Sequence, residues 1–240
     1  MMKLFSDFDN TITVGDVHDA LFKNFGGQLT EKYDQQYWAG TLSSKECLKK
    51  KCASCGEVGL SALNAFLDGC HIDPTFPDCM RFVRAHRLEF SIVSDGFDYT
   101  IRHILRKNGL SDIPVFSNKL RFEQDGGARH ERLIPSFPFD DEDCTRCACC
   151  KRNVMLTHAG EEDIIVYIGD GYSDQCAVQY ADIIFAKAEL QTFCQRENIS
   201  YYEFRSFRDI QARLEQLLQK RRLRKRQAAE ANRQALFLAG

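Results

Sequence analysis

Short runs of β-branched and apolar residues at positions 3–7, 89–94, 115–117, 164–168, 182–185 and 201–204 alternate with stretches of helical periodicity. A chain that alternates in this way builds an α/β fold, a parallel sheet with helices on both faces. The first two runs stand about eighty residues apart, whereas a crossover between parallel strands needs only a dozen or so. The surplus shows helical spacing around residues 20–25, 45–51 and 60–67 and almost no β signal. It is predicted to form a helical cap inserted after the first strand, over the carboxyl edge of the sheet. With 240 residues the chain has length for one core carrying such an insertion. The expected division is a core over 1–14 and 88–205, a cap over 15–87 and a C-terminal helical extension over 206–240.

A second insertion, 118–143, contains Gly126-Gly127 and is expected to be a hairpin or loop. From residue 206 the tail reads as one long helix, with Ile210, Leu214, Leu217 and Leu218 at helical spacing and "KRRLRKRQ" after them. No aromatic residue is interleaved with that basic run, so it is expected to be a solvated helix extension and not a nucleic-acid contact. The balance of 32 basic and 34 acidic residues, net −2, gives no global attraction for nucleic acid or an anionic membrane. No apolar run approaches membrane-spanning length, and Asp7 comes too early for a secretory leader, so a cytoplasmic protein with no membrane partner is expected. The oligomeric state is left open.

The chemistry concentrates at strand ends. "MKLFSDFDNTIT" sets Asp7 and Asp9 one residue apart where the first strand stops, so both carboxylates converge on one pocket at the edge where α/β folds bind ligands. A carboxylate can act there as a nucleophile toward an anionic substrate if a cation offsets its charge. "IIVYIGDGYSD" supplies Asp170 at a second strand end, Gly171 for a tight turn and Asp174 four residues on. Hard oxygen ligands from Asp7 and Asp170 suit Mg²⁺. "FSIVSDGFD" offers the Ser94 hydroxyl and the Asp95-Gly96 amides to phosphate oxygens as a helix begins. A fixed positive charge comes from Lys151, with Lys187 as its competitor.

Together these stretches resemble the haloacid dehalogenase superfamily of phosphatases: "DFDNTIT" matches its nucleophile motif, "VSDG" its serine motif, Lys151 its lysine and "IGDGYSD" its acidic motif, in the family's order and spacing. The resemblance implies a Rossmann-like core with the inserted cap. It makes Asp7 the nucleophile that forms an aspartyl-phosphate, and Asp9 the general acid and then base. Mg²⁺ would be held by Asp7, the Asp9 backbone carbonyl and Asp170, with Asp174 behind them. Ser94, Asp95, Gly96, Lys151 and Thr11 would form the phosphate-binding set, and Thr11 and Thr13 would orient the loop. Asp9 marks a phosphatase, since dehalogenase members lack an acid there. A response-regulator receiver also phosphorylates an aspartate, but lacks that acid and the cap. The competing class is a binding or regulatory protein that keeps this fold without turnover.

Within the superfamily the chain looks similar to the phosphoserine phosphatase-like branch over most of 1–204. "VSDGFDYTI", "FSNKL" and "ADIIFAKAELQTFCQREN" resemble the methionine-salvage subgroup, which hydrolyses 2-hydroxy-3-keto-5-methylthiopentenyl-1-phosphate. Phosphocholine and phosphoethanolamine phosphatases are more distant relatives of similar plan. A small phosphorylated metabolite is therefore the expected partner. Asp16 stands where phosphoserine phosphatases carry a glutamate for the substrate's amino group, although it could simply cap the helix that follows. Their carboxylate-binding arginine has Lys45 as its nearest counterpart, a residue that could equally lie on the surface, and Lys lacks the bidentate fork. His18 and Trp38 read as packing residues.

Eleven cysteines are too many and too clustered for a disulfide framework. "DCTRCACCK" places Cys144, Cys147, Cys149 and Cys150 just before Lys151, enough in number for tetrahedral zinc. Adjacent Cys149 and Cys150 rarely both turn inward, so His130, or Cys52 and Cys55 of the cap, are the alternative ligands. Reduced thiols and a redox sensor are the other two readings.

Overall fold

In the computed structural model, which describes residues 1–124, 131–142 and 144–239, the chain runs β1 (Met2–Ser6), α1 (Val17–Gly26), α2 (Leu29–Trp38), α3 (Ser44–Ser54), β2 (Glu57–Val58), α4 (Leu60–Asp68), α5 (Phe76–Ala85), β3 (Glu89–Phe97) and α6 (Asp98–Lys107). It continues with β4 (Val115–Gln124), β5 (Glu131–Ser136), α7 (Lys151–His158), β6 (Ile164–Gly169), β7 (Ile183–Ala186), α8 (Ala188–Arg196), β8 (Tyr202–Glu203), α9 (Phe207–Leu218) and α10 (Gln227–Ala239). The sheet order is β2-β5-β4-β3-β1-β6-β7-β8. β1 lies between β3 and β6, parallel to both, with Ser6 opposite Ile92 on one side and Ile168 on the other.

Strand residues bury alternately on two faces, as their period of two requires. Leu4, Ile92, Val166, Ile168 and Phe185 join one core, while Phe5, Val93, Ile165, Tyr167 and Ile184 join the other. The sheet is mixed, and not wholly parallel as expected, because β5 runs antiparallel to both β4 and β2. β2 comes from inside the helical insertion, where almost no strand signal is visible: two residues are too few for a pattern. The pairing of 119–124 with 131–136 makes the second insertion a hairpin; Gly126-Gly127 lies outside the described residues.

Local chemistry starts the inserted helices. The Asp16 side chain accepts the Asp19 N–H at 2.7 Å and caps α1, and Ser43 with Glu46 forms a capping box at α3. α5 packs instead on β3 and α9, through Phe76 against Phe90 and Phe207, which takes residues 76–85 out of the cap expected over 15–87.

The tail is two helices, not one. Between α9 and α10 the Arg226 guanidinium donates to the carbonyls of Val178, Gln179 and Ala181 at 2.5, 2.9 and 2.9 Å. Asp182 accepts from the Arg226 N–H at 3.1 Å and from Arg233 at 2.9 Å. A straight helix would carry Arg226 away from these groups, so their pairing breaks it. That end of the basic run is docked on the core and not solvated.

Candidate active site

β1 delivers Asp7 to the carboxyl end of the sheet, where its N–H donates to the Ile168 carbonyl at 2.9 Å. The chain then turns sharply. Asn10 takes a left-handed φ of 52°, which Asn tolerates better than most side chains. The Thr11 N–H donates to the Asp9 carbonyl at 2.6 Å, and the Thr13 hydroxyl donates to the Gly15 carbonyl at 2.8 Å while accepting the Asn10 N–H at 3.1 Å.

Lys151 opens α7, buried at 1% exposure, with its Nζ 2.6 Å from Asp7 Oδ2 and 2.6 Å from Asp174 Oδ1. Asp174 has no free lone pair to offer. Its Oδ1 also accepts the Tyr167 hydroxyl at 2.6 Å, and its Oδ2 accepts the N–H groups of Asp170 and Gly171 at 3.0 Å each. Gly169 makes room for it: a Cβ there would stand 2.4 Å from Asp174 Oδ2. Asp170 Oδ1 accepts the Thr11 hydroxyl at 2.7 Å.

Carboxylate oxygens of Asp7, Asp170 and Asp174 lie within 4.8 Å of one another. Burial first, and the Asp174 charge second, push the Asp7 pKa well up and that of Asp170 up to about 7. Burial opposes the Lys151 ammonium, but Asp174 and Asp7 outweigh it and hold it protonated. One lysine cannot balance three carboxylates. A small divalent cation would, and the donors are the hard oxygens that Mg²⁺ takes. Asp7 and Asp170 have the capacity to hold it, while the saturated Asp174 anchors Lys151 and the turn.

Asp9 is held on the cap side. Its Oδ1 accepts the Val17 and His18 N–H groups of α1 at 2.9 and 3.3 Å, and its Oδ2 lies 2.7 Å from His18 Nδ1. Burial raises the Asp9 pKa, but the imidazole and these amides outweigh it and bring it below the ordinary carboxylate value. On its far side, His18 Nε2 accepts the Phe97 N–H at 2.8 Å and sits 2.6 Å from Thr100 Oγ1. A backbone N–H cannot accept, so Nε2 keeps its lone pair and the ring proton is at Nδ1, on Asp9. Burial lowers the His18 pKa and the Asp9 charge raises it by more, yet a second proton at Nε2 would face the Phe97 N–H.

Asp7, Asp9, Ser94 and Asp170 line a cavity of about 770 Å³ whose far wall comes from α1, α2 and α3. The Ser94 hydroxyl accepts the Gly96 N–H at 3.0 Å. Asp95 turns its carboxylate toward the N–H groups of Ala148 and Cys149 at 3.2 and 2.8 Å, and burial pushes its pKa up to about 6. It ties down the loop before Lys151.

Over residues 2–215 the sequence matches a family model described as "Putative Phosphatase". The chain belongs to this phosphatase family. It is 31% identical over 222 residues to 2-hydroxy-3-keto-5-methylthiopentenyl-1-phosphate phosphatase of Lysinibacillus sphaericus (strain C3-41), covering 90% of this chain and 95% of that one. It is 30% identical over 222 residues to Pdp3-interacting factor 1 of Schizosaccharomyces pombe (strain 972 / ATCC 24843), covering 89% and 95%. A phospho-aspartyl intermediate analogue of phosphoserine phosphatase shares the fold with a TM-score of 0.66 at 19% identity, covering 89% of this chain and 99% of that one. The protein is a phosphatase, a hydrolase built on the haloacid dehalogenase fold.

The phosphatase brings Asp7, Asp9, Ser94, Lys151, Asp170 and Asp174 to one edge. Of the two lysines weighed for the fixed charge, Lys151 meets Asp7, while the Nζ of Lys187 lies over the Phe204 ring at 5.0 Å. Thr11, expected among the phosphate-binding residues, spends its hydroxyl on Asp170 instead. Asp16 lines the cavity as well as capping α1. Lys45 does not reach the cavity: it pairs with Asp140 at 2.5 Å. The cap lysines that do are Lys23 and Lys51, the latter paired with Asp34 at 2.8 Å. Trp38 is 73% exposed at the cavity wall and so is no packing residue. His18 is buried as a packing residue would be, yet it is bonded to Asp9; the sequence signal was a histidine nine residues after an acid, too weak alone.

Three of the four clustered cysteines come together and the fourth turns away. Cys147 lies with its Sγ 3.6 Å from that of Cys144 and also bonds the Cys150 thiol, which faces Asp141 Oδ2 at 3.7 Å, while Cys149 Sγ faces the Phe116 carbonyl at 3.7 Å, in the second core. Cys52 and Cys55 are buried around the end of α3, where the Cys55 thiol donates to the Lys51 carbonyl. His130 lies outside the described residues. All eleven thiols are free, and among the described residues only the aspartate group brings three metal-ligating side chains within 4.8 Å of one another.

Proposed function

We propose that the protein is a Mg²⁺-dependent phosphomonoesterase working through an aspartyl-phosphate, with a small phosphorylated metabolite as substrate. The supporting observation is the placement of Asp7, 2.6 Å from a buried ammonium and beside Asp170, opposite an Asp9 that is held separately. In this reading an Asp7 oxygen attacks phosphorus and the bond to the leaving oxygen breaks, while Asp9 gives that oxygen a proton. Asp9 then takes a proton from water as the water attacks phosphorus, and the Asp7 carboxylate is restored. Lys151 and the Ser94 hydroxyl hold the phosphoryl oxygens. Asp7, the Asp9 carbonyl and Asp170 would hold Mg²⁺, which would supply positive charge where two anions meet.

For the leaving group we propose a methylthio sugar-like phosphate of the kind named for the Lysinibacillus relative. Phe22, Leu48 and Trp38 give the cavity wall apolar surface that suits a thioether, and among the described residues no arginine lines it to fork a phosphoserine carboxylate. The test is phosphate release from a panel of methylthio, amino-acid and amino-alcohol monoesters, with Mg²⁺ and with EDTA. Mg²⁺-dependent release led by the methylthio ester is expected. Release unchanged by EDTA or by Asp7→Asn would overturn the mechanism, and a preference for phosphoserine would overturn the substrate.

A further inference from the structure

We infer that His18 is the positioning residue of the general acid, holding the Asp9 carboxylate in a single orientation. The inference rests on the reading of Asp9 as acid and base. Asp9 Oδ2 takes the Nδ1–H of a ring that cannot swing, because four groups fix it. Phe97 donates its N–H to Nε2, Thr100 Oγ1 stands beside that nitrogen, and the Phe97 ring meets the imidazole edge-on at 5.7 Å. The fourth is Gly96: a Cβ there would lie 2.1 Å from His18 Cε1, so the imidazole occupies the space a side chain would need.

The two Asp9 oxygens are therefore unequal. Oδ2 is bound to a neutral N–H donor whether Asp9 is ionised or protonated, and that donor has no second proton to pass on. Oδ1 accepts both first amides of α1, at 2.9 and 3.3 Å, which fill its two lone pairs, so the proton is exchanged at the lone pair that Oδ2 keeps beside the Nδ1–H bond. The ring also ties the nucleophile loop, α1 and the Ser94 loop together at one point.

The discriminating experiment compares the single-turnover rate of alcohol release from an alkyl phosphate, whose alkoxide needs a proton, and from p-nitrophenyl phosphate, whose phenolate leaves unaided. His18→Ala, His18→Asn and Asp9→Asn are measured in the full chain with Mg²⁺. General acid catalysis is worth about 10²–10⁴-fold, so His18→Ala is expected to slow the alkyl ester by at least about tenfold and the nitrophenyl ester by less than about threefold. His18→Asn, whose amide N–H falls near the place of Nδ1–H, is expected to recover part of the loss. Equal slowing of both esters by His18→Ala and His18→Asn, or no slowing, overturns the inference if Asp9→Asn itself discriminates between them. If Asp9→Asn slows both equally, the reading of Asp9 as the acid fails first. Should His18→Ala not fold, as judged by its melt, His18→Asn decides: selective slowing of the alkyl ester supports the inference and equal slowing overturns it.

Discussion

At the scale of single residues, the site is an electrostatic imbalance that a metal ion resolves. Asp7 and Asp170 have pKa values raised in the fold, so the folded state binds protons more tightly than the unfolded chain. Stability of the metal-free protein must then fall as pH rises from the ordinary carboxylate range through about 7, the value for Asp170. Mg²⁺ replaces the protons, so its stabilisation should be larger at pH 8 than at pH 5, reaching about 2.7 kcal/mol at a hundredfold excess over Kd. Calorimetry in EDTA and in Mg²⁺ at the two pH values checks this. Asp7→Asn removes one repelling charge, so its metal-free melt should equal or exceed that of the native protein while phosphate release drops to background. Lys151→Met should behave oppositely. It leaves Asp174 buried and unpaired, at a cost of about 3–5 kcal/mol in urea unfolding.

At the scale of elements, function depends on which helix or strand meets which. Lys45 and Lys51 sit on the same helix, α3, yet one points to Asp140 and the other to Asp34 at the cavity. Lys45→Ala should leave KM within about twofold, since an exposed pair is worth only about 0–1 kcal/mol. Lys51→Ala should change KM for the true substrate by clearly more, and parallel steady-state kinetics separates the two. Gly96 makes the same point for the end of β3. Gly96→Ala should drive His18 from its seat, costing about 1–3 kcal/mol of stability and slowing turnover. Its effect on turnover should be less than additive with that of His18→Ala, because both remove one contact.

At the scale of the whole molecule, inserted helices and sheet close a single cavity, and the tail braces the opposite arm. α2 and α3 meet the loop before Lys151 through the Tyr37 hydroxyl on the Arg146 carbonyl and the Ser44 N–H on the Thr145 carbonyl at 3.0 Å. The same loop amides hold Asp95, so cap contact and phosphate-binding loop share one segment. The tail contributes through Arg226. Arg226→Ala should cost about 1–3 kcal/mol in urea unfolding, because the carbonyls it satisfies lose their partner, with kcat nearly unchanged. A freely solvated tail would tolerate it within about 0.5 kcal/mol.

What could be read along the chain was what is local. A strand's period of two, the eighty-odd residues between β1 and β3, and an acid pair directly after a strand are properties of neighbouring residues, and they sufficed for the sheet, the insertion and the aspartates. Tertiary structure decided everything that joins residues far apart. His18 meets Phe97 and Thr100 across 79 and 82 positions, Arg226 meets Val178 across 48, and Cys149 turns to Phe116 while its neighbour Cys150 turns to Asp141. A buried imidazole or a thiol looks the same in sequence whether it packs, ligates or orients an acid. Its role is set by the one donor or acceptor that folding brings within three ångströms or so, and that choice is made by packing and not by pattern.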